Sequence, residues 1–332
     1  MSTDSPEMAN LETAKPPSVI RRFGLQLGVL SVGVLMLVGF MSLAPDTFLS
    51  IGIYRAFAST TPFFALIAIP LTFVIVTGEI DLSFPAVMAL GMAGFVKTWQ
   101  ATQSVTLAVV AALLVGVMAG CLNGWFVGYL GIPSIVITLG TNFFFRGLEL
   151  VIMDGAGQPL TDPVFRPLRA ALVSRPFGIP AQFIWTIAAA IGLWFLLNRT
   201  RYGAHVFLTG DNADSARLMG VNVPWVKLRT FALVGLFSAF AGMVSSFEVT
   251  YFWPTLGDGS LLNTIAAVLL GGTSIFGGVG SIMGTTVGAF IIGAINAGIV
   301  STGLSGFFTQ LFFGLVIIIA VTVNTLISRR LK

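Results

Sequence analysis

From Gly259 to Ser328 the chain runs 70 residues without a single Asp, Glu, Lys, Arg or His. A helix crosses the hydrocarbon of a bilayer with about 20 apolar residues, so this run has room for several crossings. A second uncharged run, Thr98 to Phe145, adds 48 residues. Across all 332 residues only 9% are charged and 56% are hydrophobic, where a soluble domain carries roughly 25% charged residues. The balance excludes an ordinary globular enzyme, a disordered chain, and a collagen-like or disulfide-bonded scaffold. It predicts an all-α integral membrane protein, a polytopic bundle of about ten transmembrane helices with some short or broken.

The expected spans are 23–44, 56–77, 83–98, 104–130, 133–153, 182–198, 230–249, 261–278, 282–300 and 305–327. Residues 1–20 read as a flexible cytosolic tail, and 21–332 as a single transmembrane domain with a cytosolic segment at 198–229 and an external loop at 154–181. The 22 apolar residues from Phe23 to Ala44 are too long for a signal-peptide core and lack a small-residue cleavage pattern, so they read as a retained first helix. An even number of spans puts both termini on one side. Placing that side in the cytosol gathers Lys15, Arg21, Arg22, Arg199, Arg201, Arg217, Lys227, Arg229, Arg329, Arg330 and Lys332 there, 11 of 17 cations. The positive-inside rule favours this orientation, although it leaves Arg55, Lys97, Arg146, Arg166, Arg169 and Arg175 outside. It also accounts for the net charge of +4 without a nucleic-acid partner. The single Cys121 allows no intrachain disulfide.

Glycines recur every fourth residue at Gly116, Gly120, Gly124 and Gly128, and again at Gly280, Gly284 and Gly288. Such faces let helix backbones approach closely in lipid, so both sets are expected to pack helices. The loop 154–181 holds Pro159, Pro163, Pro167, Pro176 and Pro180, which suits an ordered external segment.

Enzyme signatures are absent. The glycine-rich stretch at 271–280 has no lysine, so no phosphate loop forms. One His and one Cys cannot build a zinc site, and no Gly-x-Ser-x-Gly turn occurs.

Chemistry is concentrated in three places. In 198–229, Asp211 and Asn212 read as N-cap residues of a short helix from Ala213 to Met219, with Gly220 ending it. Asp214 in its first turn and Arg217 in its last complement the dipole. A capped two-turn helix between spans suggests docking, the alternative being a solvated connector. The second place is Thr77-Gly78-Glu79-Ile80-Asp81-Leu82-Ser83, where Glu79 and Asp81 are either functional carboxylates at membrane depth or polar loop and capping residues. The third is the set of polar residues within spans: Asn123, Thr138, Asn142, Glu248, Asn263, Thr273, Ser274 and Asn296. These bond between helices or line a pathway. Phe143, Phe144 and Phe145 either gate or pack.

Those residues carry a resemblance. Gly78-Glu79-Ile80-Asp81-Leu82-Ser83 is similar to the Gly-Gly-Ile-Asp-Leu-Ser motif of permease subunits in ribose-type ABC sugar importers. Asn123-Gly124, the run from Leu130 to Thr141, and Arg146-Gly147-Leu148 resemble a second stretch of that family. Thr200 to Gly203 and Gly210 to Val221 resemble its cytosolic coupling segment. Ile265 to Ser274, with Gly277, Gly278, Gly280, Gly284 and Thr285, resemble its last motif. The motifs follow the family order and span most of 55–325. Departures are Glu79 for a common glycine, Phe84-Pro85 for a small pair, Asp211 for a frequent glycine and Ser215 for a frequent alanine.

The resemblance implies a permease subunit of the bacterial inner membrane that imports a monosaccharide or related polyol, and not an enzyme. It implies that the chain itself binds no cofactor, with ATP and Mg handled by a separate cytosolic ATPase subunit. That ATPase would dock on Gly210, Asp211, Asn212, Asp214, Ala216, Arg217 and Gly220. An external periplasmic binding protein and a second permease copy or paralogue, in a homo- or heterodimer set in membrane lipid, complete the expected assembly. Candidate pathway residues are Glu79, Asp81, Ser83, Asn123, Thr138, Asn142, Phe143, Asn263, Thr273, Ser274 and Asn296. The rival readings are an ion-coupled secondary transporter using Glu79, Asp81 or Glu248, and an ABC permease for nucleosides or branched-chain amino acids.

Overall fold

A computed structural model of the chain describes residues 44–301 continuously, together with isolated positions on either side. The expected spans at 23–44 and 305–327, the tail at 1–20 and the last cations of the chain lie outside this continuous stretch.

Within it the chain is almost entirely helical. The helices are α1 (Pro45–Phe48), α2 (Ile51–Thr60), α3 (Pro62–Val76), α4 (Phe84–Thr102), α5 (Val105–Gly128), α6 (Ser134–Met153), α7 (Arg166–Val173), α8 (Ala181–Arg199), α9 (Arg201–Asp211), α10 (Ala213–Leu218), α11 (Val223–Val249), α12 (Ser260–Leu270) and α13 (Ile282–Ser301). The only sheet among the described residues is a two-stranded antiparallel ribbon in which β1 (Gln158–Pro159) pairs with β2 (Tyr251–Phe252). Four of these helices are long and apolar enough to cross a membrane, and α2 and α3, bent by 53° across a break, are together long and apolar enough for a fifth crossing or a re-entrant loop. The bend falls where Pro62, which has no N–H to donate, opens α3.

Burial sorts the helices into centre and rim. Nearly every side chain of α3 is buried, as expected of a helix apolar on all sides, and 72% of the apolar window of α11 is buried. For α5, α6 and α8 the corresponding shares are 28%, 22% and 33%. These three form the rim, where leucine, valine and phenylalanine face outward as lipid-facing residues do. A side-chain bond joins the centre, Thr72 Oγ1 lying 2.8 Å from Thr285 Oγ1 between α3 and α13.

The glycine repeat of α5 meets α11 backbone to backbone. A Cβ placed on Gly124 would come within 2.5 Å of Leu228 Cα, and one on Gly128 within 2.7 Å of Pro224 O. Gly116 and Gly120 face Gly235 and Phe231 in the same register, so the helices run antiparallel. In the second repeat Gly284 and Gly288 bring α13 against the backbone of Ala267 and Gly271, whereas Gly280, expected to pack helices too, precedes α13 and meets side chains. A Cβ on Gly288 would lie 3.0 Å from Gly271 N and one on Gly280 3.1 Å from Thr273 Cγ2, while Gly284 abuts Gly271.

Two expected spans differ, 56–77 being broken between α2 and α3 and 261–278 ending early. The reading 261–278 begins at Ser260 but its helix ends at Leu270. Gly272, Gly277 and Gly278 all take positive φ, a conformation that costs glycine little and that ends a helix despite continuing hydropathy. Residues 271–281 are irregular, and α12 is a half-length helix.

Candidate functional site

Helices α9 and α10 stand at the end of the bundle where α5 finishes and α11 begins. Thr200 Oγ1 accepts from Gly203 N at 3.2 Å and caps α9; Asn212 Oδ1 accepts from Ser215 N at 2.8 Å and caps α10. Helix α9 is absent from the sequence reading, and Asp211, expected to share the capping, closes α9 instead. Gly220, with φ of +83°, takes the left-handed position that ends α10. Ala216 is fully buried in a cluster with Val206, Val221 and Val226, which seats the helix. Its outer side carries the Asp214–Arg217 ion pair at 2.6 Å and two uncovered apolar side chains, Leu218 at 91% and Met219 at 61% exposure.

Beneath α9 three distant motifs meet without side chains between them. Gly278 N donates to Val76 O at 2.9 Å. A Cβ on Gly210 would run into Val76 O and lie 2.6 Å from Gly278 N. A Cβ on Gly277 would lie 2.7 Å from Gly210 O and 3.0 Å from Gly78 N. Only glycine permits this approach. The end of α3, the end of α9 and the loop after α12 are thereby locked together.

The loop between α3 and α4 is a buried polar network. Asp81 Oδ1 accepts from both the N–H and the Oγ of Ser83 at 2.7 Å. Asn123 Nδ2 donates to Ser83 Oγ at 2.7 Å, and Thr141 Oγ1 donates to Asn123 Oδ1 at 2.8 Å. Ile80 N donates to Ser134 Oγ at 3.0 Å, and Thr138 Oγ1 donates to Ser134 O at 2.7 Å. Asp81, Ser83 and Asn123 are thus buried and bonded in one chain, with Thr138 buried beside them and donating to Ile80 O and Ser134 O, so in this conformation they tie α4, α5 and α6 and do not face an open path. Glu79 forms an ion pair with Lys227 at the start of α11, the two side chains only 15% and 16% exposed.

Asp81→Ala strips the acceptor from two buried donors of Ser83, at about 1–3 kcal/mol for each group left unpaired. Thermal unfolding in detergent is expected to fall clearly for Asp81→Ala, and much less for Asp81→Asn, which retains an oxygen. Equal melting of the two variants would show that the network contributes nothing.

Of the other sequence candidates, Thr273 and Ser274 are buried in the 271–281 segment, Asn142, Asn263 and Asn296 are half-buried, and Phe143 is exposed. Glu248 Oε2 accepts from Gln182 Nε2 at 3.0 Å. The sequence reading missed Arg146, counting it among external cations. The residue lies inside α6, where its guanidinium pairs with Asp258 at 2.7 Å and donates to Leu256 O at 2.9 Å and to Pro254 O. A pair separated by 112 residues leaves no local pattern in one sequence. No group of three or more His, Cys, Asp or Glu side chains suited to a metal occurs among the described residues.

A family model described as "Branched-chain amino acid transport system / permease component" matches residues 53–321. The ribose import permease protein of Escherichia coli is 31% identical over 88% of this chain and 92% of its own length. The ribose import permease protein of Bacillus subtilis is 36% identical over 78% of this chain and 80% of its own. The D-allose transport system permease protein of Escherichia coli is 33% identical over 95% of this chain and 96% of its own. No solved structure matches the chain.

Proposed function

The chain belongs to the branched-chain amino acid transport system / permease component family, and from that premise we propose that it is the transmembrane subunit of an ATP-binding-cassette importer carrying a monosaccharide or related polyol across a bacterial inner membrane. The cargo reading rests on the ribose and allose permeases, to which the chain is similar over most of its length. About ten helices with both termini in the cytosol put α9 and α10 on the cytosolic side and α7 with the β ribbon outside.

The observation that carries the coupling role is α10. A two-turn helix capped at both ends, anchored by Ala216, presents Leu218 and Met219 to water. Burying one such side chain against a partner contributes about 2 kcal/mol, which a solvated connector forgoes. A separate cytosolic ATPase docks there, supplying ATP and Mg. Closure of the ATPase pair moves α10, provided the partner binds the two states of the permease differently. An external binding protein meets the 154–181 loop, and a second permease copy or paralogue completes the pathway. The ion-coupled alternative is not favoured, because Glu79 is committed to Lys227 and Asp81 to Ser83.

Affinity purification from gently solubilised membranes tests the docking. The wild-type chain is expected to bring down a stoichiometric ATPase subunit. Leu218→Asp weakens that binding by about 30-fold, from the 2 kcal/mol above, and Arg217→Glu places like charges beside Asp214. Ala216→Pro removes the N–H bonded to Asn212 O at 2.9 Å and abolishes docking. Undiminished ATPase recovery in all three variants, with uptake intact, would refute the assignment.

A further inference from the structure

Irregular backbone within a membrane persists only where protein covers it or water reaches it. Residues 253–259, between β2 and α12, are such backbone, and their depth follows from α4. Near one end of α4, Gln100 Nε2 donates to Gln158 Oε1 of the ribbon at 3.2 Å. At the other end, Arg146 reaches Pro85 O at 3.5 Å while holding the segment through Leu256 O and Asp258. Fifteen residues of helix separate Gln100 from Pro85, about 22 Å at 1.5 Å per residue. Ser83, at the base of α4, bonds Asn123, five residues before the end of α5. The Arg146–Asp258 pair is therefore held within the helical bundle, between the ribbon at one end of α4 and the Ser83–Asn123 bond at the other.

Even so, the Asp258 side chain is 59% exposed, and Thr255 and Gly259 beside it are exposed too. A charged group in that position does not face hydrocarbon. One turn along α6 from Arg146, Glu149 is fully buried and neither carboxylate oxygen has a hydrogen-bond partner among the described residues. It interacts electrostatically with both Arg146 and Asp258.

We propose that this cleft between α6 and the start of α12 is where the solute crosses the chain, and that Asp258, Arg146 and Glu149 form a hydroxyl-binding site within it. A carboxylate accepts hydroxyl protons and a guanidinium donates to hydroxyl oxygens. A neutral polyhydroxy solute shedding water finds both at Asp258 and Arg146. Glu149, one turn along α6 and with neither oxygen bonded, adds an acceptor that a solute hydroxyl can reach beside Arg146. The binding is necessarily weak, as a pathway that must release its cargo requires.

The inference rests on the sugar-permease reading, but its test is independent of uptake. Thr255→Cys and Asp258→Cys are made in a Cys121→Ser background, assembled with the ATPase and binding protein in nanodiscs, and exposed to a charged, membrane-impermeant methanethiosulfonate. Leu114→Cys, on the lipid-facing rim of α5, is the control. Both cleft positions are expected to react at least about tenfold faster than the control, as a water-lined site requires. Trapping with ATP and vanadate is expected to change the rate severalfold. D-ribose, D-allose or D-xylose at high concentration is expected to slow Thr255→Cys. Rates no faster than the control, or fast rates that neither nucleotide nor sugar alters, overturn the proposal. A nucleotide response with no sugar protection overturns the hydroxyl site. Failure of the permease reading shows itself differently, as absence of a co-purifying ATPase.

Discussion

Gly120→Leu is expected to destroy the central helix pair and lower the thermal midpoint of the detergent-solubilised protein by about 10 °C or more. A Cβ at this position meets Phe231 O and would lie 2.8 Å from Phe231 C and 2.9 Å from Ala232 Cα. All three contacts are backbone, so no flexible side chain can yield, and α5 and α11 must part along their whole shared face. Overpacking a core costs about 1–3 kcal/mol when side chains adjust; here the cost lies at or above that ceiling, and about 2–4 °C accompanies each kcal/mol in a chain of this size or somewhat smaller. In lipid the loss is not recovered by hydrophobic burial, since van der Waals packing is what holds such helices together. Gly192→Leu is the control. It lies on α8, where a Cβ would meet nothing within 4 Å, and its midpoint is expected to stay within about 2 °C of wild type, as for surface substitutions generally. Equal melting of the two variants would show that the glycine face does not hold the bundle.

That face was legible because a four-residue glycine spacing states a close approach without naming what approaches. Its partner, the 224–235 face of α11, has no comparable repeat and had to come from three dimensions. The same division runs through the candidate site. Asn212 as a cap and Gly220 as a terminator depend on neighbours in sequence, and both could be read there. The Ser83–Asn123–Thr141 chain and the Glu79–Lys227 pair join residues dozens of positions apart, so the sequence showed polar side chains but not that they satisfy one another. The expected span 261–278 failed for a physical reason. Hydropathy registers Gly272 and Gly277-Gly278 as apolar enough to continue, whereas their positive φ does not continue a helix. Arg146 fell within the expected span 133–153 and was counted with the external cations, but its ion pair with Asp258, far away in the chain, had no local signature to reveal it.

Gly210→Ala is expected to leave the chain in the membrane, leave the ATPase bound, and cut uptake by about 30- to 100-fold. The outer side of α10, with Leu218 and Met219, is untouched by the change, so docking survives. What changes is the contact beneath it. The new methyl enters the space of Val76 O and comes within 2.6 Å of Gly278 N, the two groups already joined by the 2.9 Å hydrogen bond that ties α3 to the loop after α12. Relieving the clash displaces α9 from that loop. A strain of about 2 to 2.7 kcal/mol, within the overpacking range, that falls on one of two states shifts their balance by the stated factor. On the proposed mechanism, movement imposed on α10 would travel through α9 to this glycine junction, then along residues 271–281 into α12, whose far end begins beside Asp258. Because the junction is backbone against backbone, it transmits displacement with little side-chain slack. Val279→Ala, which trims an exposed side chain of the same loop without entering the junction, is expected to transport normally. Reconstituted vesicles with the ATPase and binding protein measure both quantities at once. Uptake lost while ATP hydrolysis continues identifies Gly210 as the link between them. Wild-type uptake in Gly210→Ala would mean that the two ends of α12 are coupled by some other route, and that the three glycine motifs meet for packing alone.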